Sequence, residues 1–187
     1  MINMATGNNE PIILTFDDGP HPQWTPKLLN ILSAHNIKAI FFMIGSNAAK
    51  NGGIVKDVIA EGHRIGNHTW SHKPLLALSK KSIFEEINKT HQFFLDCFSY
   101  KISCFRPPWG IIRKSHLELI ESRFNYESVF WDVDSRDYFL PFPIRDKKKL
   151  KTKTIYLFHD GIKFSPVFSR EHTLLSVERL IKIHTCK

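Results

Sequence analysis

Two histidines four residues apart, in His68-Thr69-Trp70-Ser71-His72, have a spacing that lets both imidazoles reach one metal ion from a single turn of backbone. In H-E-x-x-H zinc sites the second position is a glutamate that acts as general base. Here it is Thr69, which takes up no proton at neutral pH. A hydrolytic site built on this pair must therefore draw its base and its third ligand from elsewhere. Asp17 and Asp18, within Thr15-Phe16-Asp17-Asp18-Gly19-Pro20, offer both. Adjacent carboxylates repel unless a cation or a donor lies beside them. Successive strand positions point opposite ways, so one carboxylate can hold a metal while its neighbour faces a nearby water. With Asp18 the histidines make a His₂-carboxylate set, a recognised form of catalytic zinc site with an open position for water. The bland alternatives are turn or helix-capping roles for the aspartates and a structural role for the histidines.

Two further groups bear on acid–base chemistry. His159 follows an apolar run and precedes Asp160, and a histidine there can donate a proton at neutral pH. Arg106-Pro107-Pro108-Trp109-Gly110 sets a permanent cation beside a rigid turn. The arginine can keep a nearby carboxylate ionised, and the prolines fix a backbone whose Trp109 N–H could face a developing oxyanion. The alternatives are a surface salt bridge for Arg106 and an ordinary core aromatic for Trp109.

The elements that must position these groups are legible as alternating strands and helices. Ile12–Phe16 and Ala39–Ile44 read as short buried strands, and His63–Asn67 as a third, with His68 just past its C-terminal end. Thr25-Pro26 predicts a helix start with Thr25 as N-cap, running to about Asn36. A second helix opens at Ser46 and stops at Gly62. A long amphipathic helix runs from Ser79 or Ser82 to Phe98, with Ser82-Ile83-Phe84-Glu85 matching a capping box. A strand near Ser103–Phe105, a helix near Lys114–Arg123, strands over Glu127–Trp131 and Thr154–Phe158, and a last helix from about Ser169 complete the pattern. Alternation of this kind means a parallel sheet, and either a barrel or an open doubly wound sheet fits it. Both put chemistry at the C-terminal strand ends, where Asp17-Asp18, His68, Arg106, Asp132 to Asp137 and His159-Asp160 fall.

At 187 residues, 42% hydrophobic and 24% charged, the chain reads as one ordinary globular domain, 1–187. The formal charge of +8 suits an anionic partner such as acidic glycan or cell wall, but much of it sits in Lys147-Lys148-Lys149 with Lys151 and Lys153. Basic and aromatic residues do not interleave as on a nucleic-acid platform, so no nucleic acid is expected. Three cysteines without a C-x-x-C argue against a disulfide framework. No apolar stretch reaches the ~18 residues of a transmembrane helix. The first ten residues lack the features of a signal peptide, which implies a cytoplasmic protein or one whose leader has been removed.

Taken in order, Thr15-Phe16-Asp17-Asp18-Gly19-Pro20, His68-Thr69-Trp70-Ser71-His72, Arg106-Pro107-Pro108-Trp109-Gly110, Asp134-Ser135-Arg136-Asp137-Tyr138 and Leu157-Phe158-His159-Asp160 resemble the five motifs of the polysaccharide deacetylases, carbohydrate esterase family four or NodB-homology domain. The resemblance covers about residues 12–180. It implies a distorted, incomplete (β/α) barrel of the seven-stranded type and the removal of N-acetyl groups from N-acetylglucosamine units of a peptidoglycan- or chitin-like polysaccharide or oligosaccharide. It also implies roles: Asp18, His68 and His72 as ligands of one divalent metal, usually zinc with cobalt or nickel as alternatives; Asp17 as base for the attacking water; Trp109 N–H as oxyanion donor; His159 as acid for the departing amine. Arg106 would orient Asp17, Asp137 would tune His159, and Tyr138 and Leu157 would wall the acetyl methyl or the sugar.

Departures from the family pattern leave this set intact. Ala39-Ile40-Phe41-Phe42 stands where Ala-Thr-Phe-Phe is common, Trp109 where Tyr is commoner, and Tyr138 where Trp is commoner. Phe139 to Lys153 is basic and weakly amphipathic, so a helix there is short or absent, and the chain stops at Lys187 where many relatives continue into a last strand. Rival readings keep the site for an O-acetyl ester or a small amide, or treat the scaffold as an inactive carbohydrate-binding module.

Overall fold

The structure, a computed structural model, describes residues 12–138, 153–161 and 169–185. The expectations for residues 139–152, including most of the lysine run, lie outside the described residues.

Seven parallel strands form one sheet: β1 (Ile12–Asp17), β2 (Ile40–Met43), β3 (Arg64–Asn67), β4 (Cys104–Phe105), β5 (Glu127–Ser128), β6 (Val133–Asp134) and β7 (Thr154–His159). Their spatial order is β5-β4-β3-β2-β1-β7-β6, so β2 is central with β1 beside it, and the two-residue strands β5 and β6 stand at the edges. The sheet curls into a half-barrel, with α1 (Trp24–Ala34), α2 (Gly45–Lys50), α3 (Gly52–Ala60), α4 (Lys80–Phe98), α5 (Lys114–Phe124) and α6 (Glu171–Thr185) accompanying it. This is the incomplete barrel that the motif resemblance implies.

Period-two alternation sorts the strand residues to the two faces. Ile12, Leu14 and Phe16 of β1, Phe41 and Met43 of β2, Phe105 of β4, and Tyr156 and Phe158 of β7 pack outward with the helices in the main core. Ile13, Ile40, Phe42, Cys104 and Val129, with Ile155, form a second cluster on the other, concave face. By the same alternation Thr15 and Asp17 on β1, and Leu157 and His159 on β7, continue the concave face toward the strand ends. Gly66 lies under this cluster because a Cβ there would run into the Phe42 ring and meet Cys104 Sγ at 3.1 Å. The long helix α4 docks through Ile83, Ile87, Thr90 and Phe94, an i, i+4, i+7, i+11 stripe.

Several boundaries differ from the sequence reading. Thr25 is not the N-cap of α1. Gln23 holds that place without a side-chain bond, and Thr25 is a buried helical residue whose hydroxyl accepts from His21 N–H (2.8 Å) and donates to the Asp160 carboxylate. A hydroxyl opposite a buried carboxylate satisfies a group that would otherwise be stranded, which outweighs an exposed cap. The expected second helix breaks at Asn51 into α2 and α3, with Ile44 rather than Ser46 at its N-cap. Helix α4 is capped by Ser79, whose Oγ accepts from Ser82 N–H at 3.2 Å, so Ser82 does not open a capping box. The strand expected over Glu127–Trp131 keeps only its first two residues. Strand β6 falls where the sequence shows only a polar segment, too short for any periodic signal.

A candidate metal-dependent catalytic site

The C-terminal strand ends converge on a cavity of about 210 Å³ lined by Asp17, Asp18, His68, His72, Leu157 and His159, with Trp109, Trp131, Asp134 and Tyr138 at its walls. Asp17 ends β1. Asp18 then turns out of the strand with φ of 71°, so the expectation that the two carboxylates point opposite ways is corrected: both line the same cavity. His68 follows β3 directly, and His72 returns to the cavity through a loop in which Thr69 (φ 66°) and His72 (φ 56°) both adopt left-handed backbone.

Asp18 Oδ1 stands 3.1 Å from His72 Nε2 and 3.5 Å from His68 Nε2. One ligand atom from each of Asp18, His68 and His72 lies within 4.8 Å of the others, and all three residues are buried. Among the described residues Asp18 Oδ1 is itself a buried acceptor without a hydrogen-bond donor. The His68 Nδ1–H donates to the Arg106 carbonyl at 2.7 Å, which turns the Nε2 lone pair toward Asp18. Two imidazoles and a carboxylate, buried together with their lone pairs converging, fit a divalent cation. Burial works to raise the Asp18 pKa, but the neighbouring His68, His72 and His159 bring it down to about 2.

Arg106 is fully buried beneath this set. Its Nη1 donates to Asp17 Oδ1 and to Thr15 Oγ1, both at 2.8 Å. Nε donates to Val129 O (2.9 Å) and Nη2 to Phe130 O (3.2 Å), while the guanidinium lies 4.2 Å from the Phe42 ring centre. Only a planar fork can serve these directions at once. Asp17 Oδ2 is 3.7 Å from His68 Nε2, so the carboxylate spans from the arginine to the histidine pair.

On β7, His159 pairs in register with Asp17. Its Nδ1–H donates to Asp137 Oδ1 at 2.7 Å and its backbone N–H to Asp137 Oδ2 at 2.8 Å, which leaves Nε2 for the cavity. Burial alone would lower the His159 pKa. The Asp137 carboxylate, aided by Asp18 and Asp17, overrides that and raises it to about 9. Asp137 is correspondingly held below the usual carboxylate range, against the opposing effect of its burial. Asp160, which sequence reading grouped with His159, sits behind the cavity wall on Thr25, and burial pushes it up to about 7.

Trp109 also has left-handed backbone (φ 56°), followed by Gly110 (φ 69°), where a Cβ would strike the Trp131 ring. Its ring packs edge-on to His72 at 4.3 Å and is 46% exposed. Tyr138 sets its ring edge-on to His159 at 5.2 Å and donates its hydroxyl to Asp134 Oδ2 at 3.0 Å. Every sequence-predicted site residue thus belongs to one neighbourhood: nine of them line the cavity or hold a residue that does, and Asp137 stands directly behind His159.

Sequence reasoning missed the residues that hold this set. Asn67 Oδ1 accepts from Thr69 N–H at 2.8 Å, and its Nδ2 donates to Ile87 O at 3.0 Å. At the start of α6, Thr173 donates to Asp137 Oδ2 (2.8 Å), and Arg170 Nη1 and His172 Nε2 both reach the Asp137 carbonyl. The polar run Arg170 to Thr173 was a usable signal, because polar residues buried at a helix start need partners. Trp131, which also lines the cavity, was missed too, although the strand-end rule applied to Glu127–Trp131 could have pointed to it. Glu86, which accepts from the Trp70 and Ser71 N–H groups of the His72 loop, carried no signal on a helix rich in charge.

Comparison with known proteins agrees with this architecture. The polysaccharide deacetylase family model matches residues 5–128. The chain is 38% identical over 156 residues to the peptidoglycan-N-acetylglucosamine deacetylase PgdA of Listeria monocytogenes, covering 81% of this chain and 33% of that protein. It is 29% identical to the chitooligosaccharide deacetylase of Sinorhizobium fredii, covering 94% of this chain and 86% of the other. The crystal structure of the Bc1960 peptidoglycan N-acetylglucosamine deacetylase superposes with a TM-score of 0.84 at 30% identity, covering 97% of this chain and 84% of that one. The chain belongs to the polysaccharide deacetylase family. It spans about a third of the length of the Listeria relative.

Proposed function

We propose that this chain is a metal-dependent hydrolase that removes N-acetyl groups from N-acetylglucosamine units of a polysaccharide or oligosaccharide, and that Asp18, His68 and His72 hold its divalent ion, zinc by preference, with cobalt or nickel able to use the same donors. A cation there would supply Lewis acidity to a carbonyl oxygen and to water. The observation that carries the reading is the pair of opposed acid–base groups on neighbouring strands. Asp17 is a carboxylate tied to Arg106, and His159 is an imidazole that Asp137 keeps protonated.

Amide hydrolysis needs both groups. Asp17 accepts the proton of the attacking water through the oxygen that Arg106 does not engage. The Trp109 N–H, presented by its left-handed backbone, faces the charge that develops on the carbonyl oxygen. When the C–N bond breaks, the nitrogen must leave as an amine, and His159 Nε2 delivers that proton. Acetate and the free amino sugar result. An O-acetyl ester has a far better leaving group and gains little from an imidazole held protonated to about pH 9, so amide cleavage is favoured over the ester alternative. A cavity of about 210 Å³ admits an acetamide and part of a ring, so a polymer must lie across its mouth, against the exposed faces of Trp109 and Tyr138.

Relatives named for peptidoglycan and for chitooligosaccharide deacetylation share the N-acetylglucosamine unit, which sets the substrate class proposed here. The test is acetate release from chitooligosaccharides and from peptidoglycan by zinc-loaded protein, before and after chelation. Asp17→Asn is expected to lower kcat by at least about 100-fold, the lower end of the range for loss of general base catalysis, with little change in bound zinc. Undiminished acetate release by Asp17→Asn would remove Asp17 from the role of base.

A further inference from the structure

The loop that carries His72 is held from behind by one carboxylate. Glu86, on the second turn of α4, accepts hydrogen bonds at Oε2 from the backbone N–H groups of both Trp70 (3.1 Å) and Ser71 (2.8 Å), and at Oε1 from the Ser71 hydroxyl (2.6 Å). Its side chain is 11% exposed, and among the described residues the cation paired with it, Lys73 Nζ at 3.7 Å, is mostly in solvent. Two successive N–H groups aimed at one oxygen form an anion-binding concavity, here filled by the protein's own side chain.

We propose that Glu86 is a positioning residue for the metal: by fixing the Trp70–Ser71 backbone it sets the approach of His72 Nε2 to Asp18. The role rests on reading Asp18, His68 and His72 as ligands. His72 is the only one of the three that does not stand at or next to a strand end, so its place depends on the loop. Within that loop Thr69 and His72 both take left-handed backbone, a conformation that side-chain-bearing residues keep only where the surroundings over-determine it. The surroundings divide the task. Asn67 holds Thr69 N–H, and Thr69 Oγ1 accepts from His72 N–H at 3.1 Å. The carbonyls of Thr69 and Trp70 accept from Gly45 and Ser46 N–H at 2.9 and 3.0 Å. The remaining two amides, at the centre of the loop, go to Glu86. Without it they must find other acceptors, and the segment leading into His72 is freed to relax toward right-handed backbone, moving Nε2 away from its partners.

The experiment is zinc titration by calorimetry against a competing chelator, at a temperature well below each variant's unfolding, with Glu86→Ala, Glu86→Asp and Glu86→Gln. Ala removes the acceptor and Asp withdraws it by one methylene while keeping the charge. Gln retains one carbonyl oxygen able to take both amides. Losing a residue that orients a metal ligand in this way weakens metal binding about 10- to 100-fold. That range is expected for Ala and Asp, with Gln recovering most of the parent affinity. A merely structural role would lower the unfolding temperature and leave the zinc affinity of the folded protein unchanged. Parent-like zinc affinity in folded Glu86→Ala would overturn the role, and where that variant does not fold, parent-like affinity in Glu86→Asp does the same. A parent chain that binds no zinc would overturn the ligand reading itself, and this role with it. Because the readout is metal affinity, loss of the proposed substrate leaves it intact.

Discussion

Asp137→Asn tests the acid–base logic most directly, because one substitution should change the protonation of another residue in a calculable way. The rise of the His159 pKa from an ordinary 6.5 to about 9 corresponds to about 3 kcal/mol favouring the imidazolium. Burial acts in the opposite direction, so the carboxylate must supply more than that net amount. Asparagine keeps the shape but not the charge. With its oxygen turned to the His159 backbone N–H and the Thr173 hydroxyl, its amide nitrogen faces His159 Nδ1 and favours the neutral ring. The pKa should therefore fall to 6.5 or below. At pH 7.5 the acid form would drop from about 97% to at most about 9%, a loss of roughly tenfold or more in kcat, and lowering the pH toward 6 should recover part of it. The raised His159 pKa also stabilises the fold: that contribution is complete below pH 6.5 and disappears as pH rises through about 9. The lowered Asp137 pKa contributes above its unfolded value and is lost as pH falls through the folded one. The destabilisation caused by Asp137→Asn should thus be largest near pH 4 to 6.5 and shrink toward pH 9. NMR titration of His159 in metal-free parent and variant, alongside urea unfolding at several pH values, provides the assay. A variant His159 that still titrates near 9 would refute the assignment of Asp137 as the source of the shift.

Arg106→Met should cost about 3–5 kcal/mol of stability at pH 7, since it strands a buried carboxylate. In a double-mutant cycle with Asp17→Asn, measured by urea unfolding, the pair should show at least about 1 kcal/mol of coupling, and additivity within about 0.3 kcal/mol would mean that the ion pair is not what the arginine contributes. Trp109→Gly keeps the backbone N–H and relieves a left-handed tryptophan while deleting an exposed ring. Steady-state deacetylation should show KM raised several-fold with kcat within about threefold, because loss of an oxyanion donor would instead cost about 10²–10³ in kcat.

The chemistry-bearing residues were legible because their types are rare and their spacing is tight. Asp17-Asp18, the histidine pair, and Arg106 before two prolines each announce a function that an average loop does not need. The residues that hold them were not legible, for a physical reason. Asn67 and Glu86 act through contacts across large sequence separations, to Ile87 and to Trp70, and nothing local distinguishes them from ordinary polar residues; the polar run Arg170 to Thr173 marks a helix start that needs partners, but not that the partner is Asp137. The Asp17-Asp18 geometry shows the same limit. Alternation along a strand is local and was read correctly up to Asp17, but it ceases at the left-handed turn of Asp18, where the chain departs from the period that the inference assumed.

The sheet order explains why so dispersed a set can act together. Asp17 and Asp18 come from the end of β1, His68 from β3, Arg106 from the end of β4 and His159 from β7, so the strands that supply chemistry lie in pairs on either side of β2 at the middle of the sheet. Strand β2, between two suppliers, contributes no lining residue. Its C-terminal end instead turns into α2, and the first amides of that helix, at Gly45 and Ser46, hold the Thr69 and Trp70 carbonyls. Gly45 is fitted to that place because a Cβ would collide with the Thr90 hydroxyl and the Trp70 ring. The division of labour follows from the half-barrel itself: strands about 4.8 Å apart cannot all present side chains to one ion. The intervening strand end serves best as a backbone anchor for the loop that crosses it. That crossing is what brings His72, from outside the sheet, to within 3.1 Å of a carboxylate on a strand two places away.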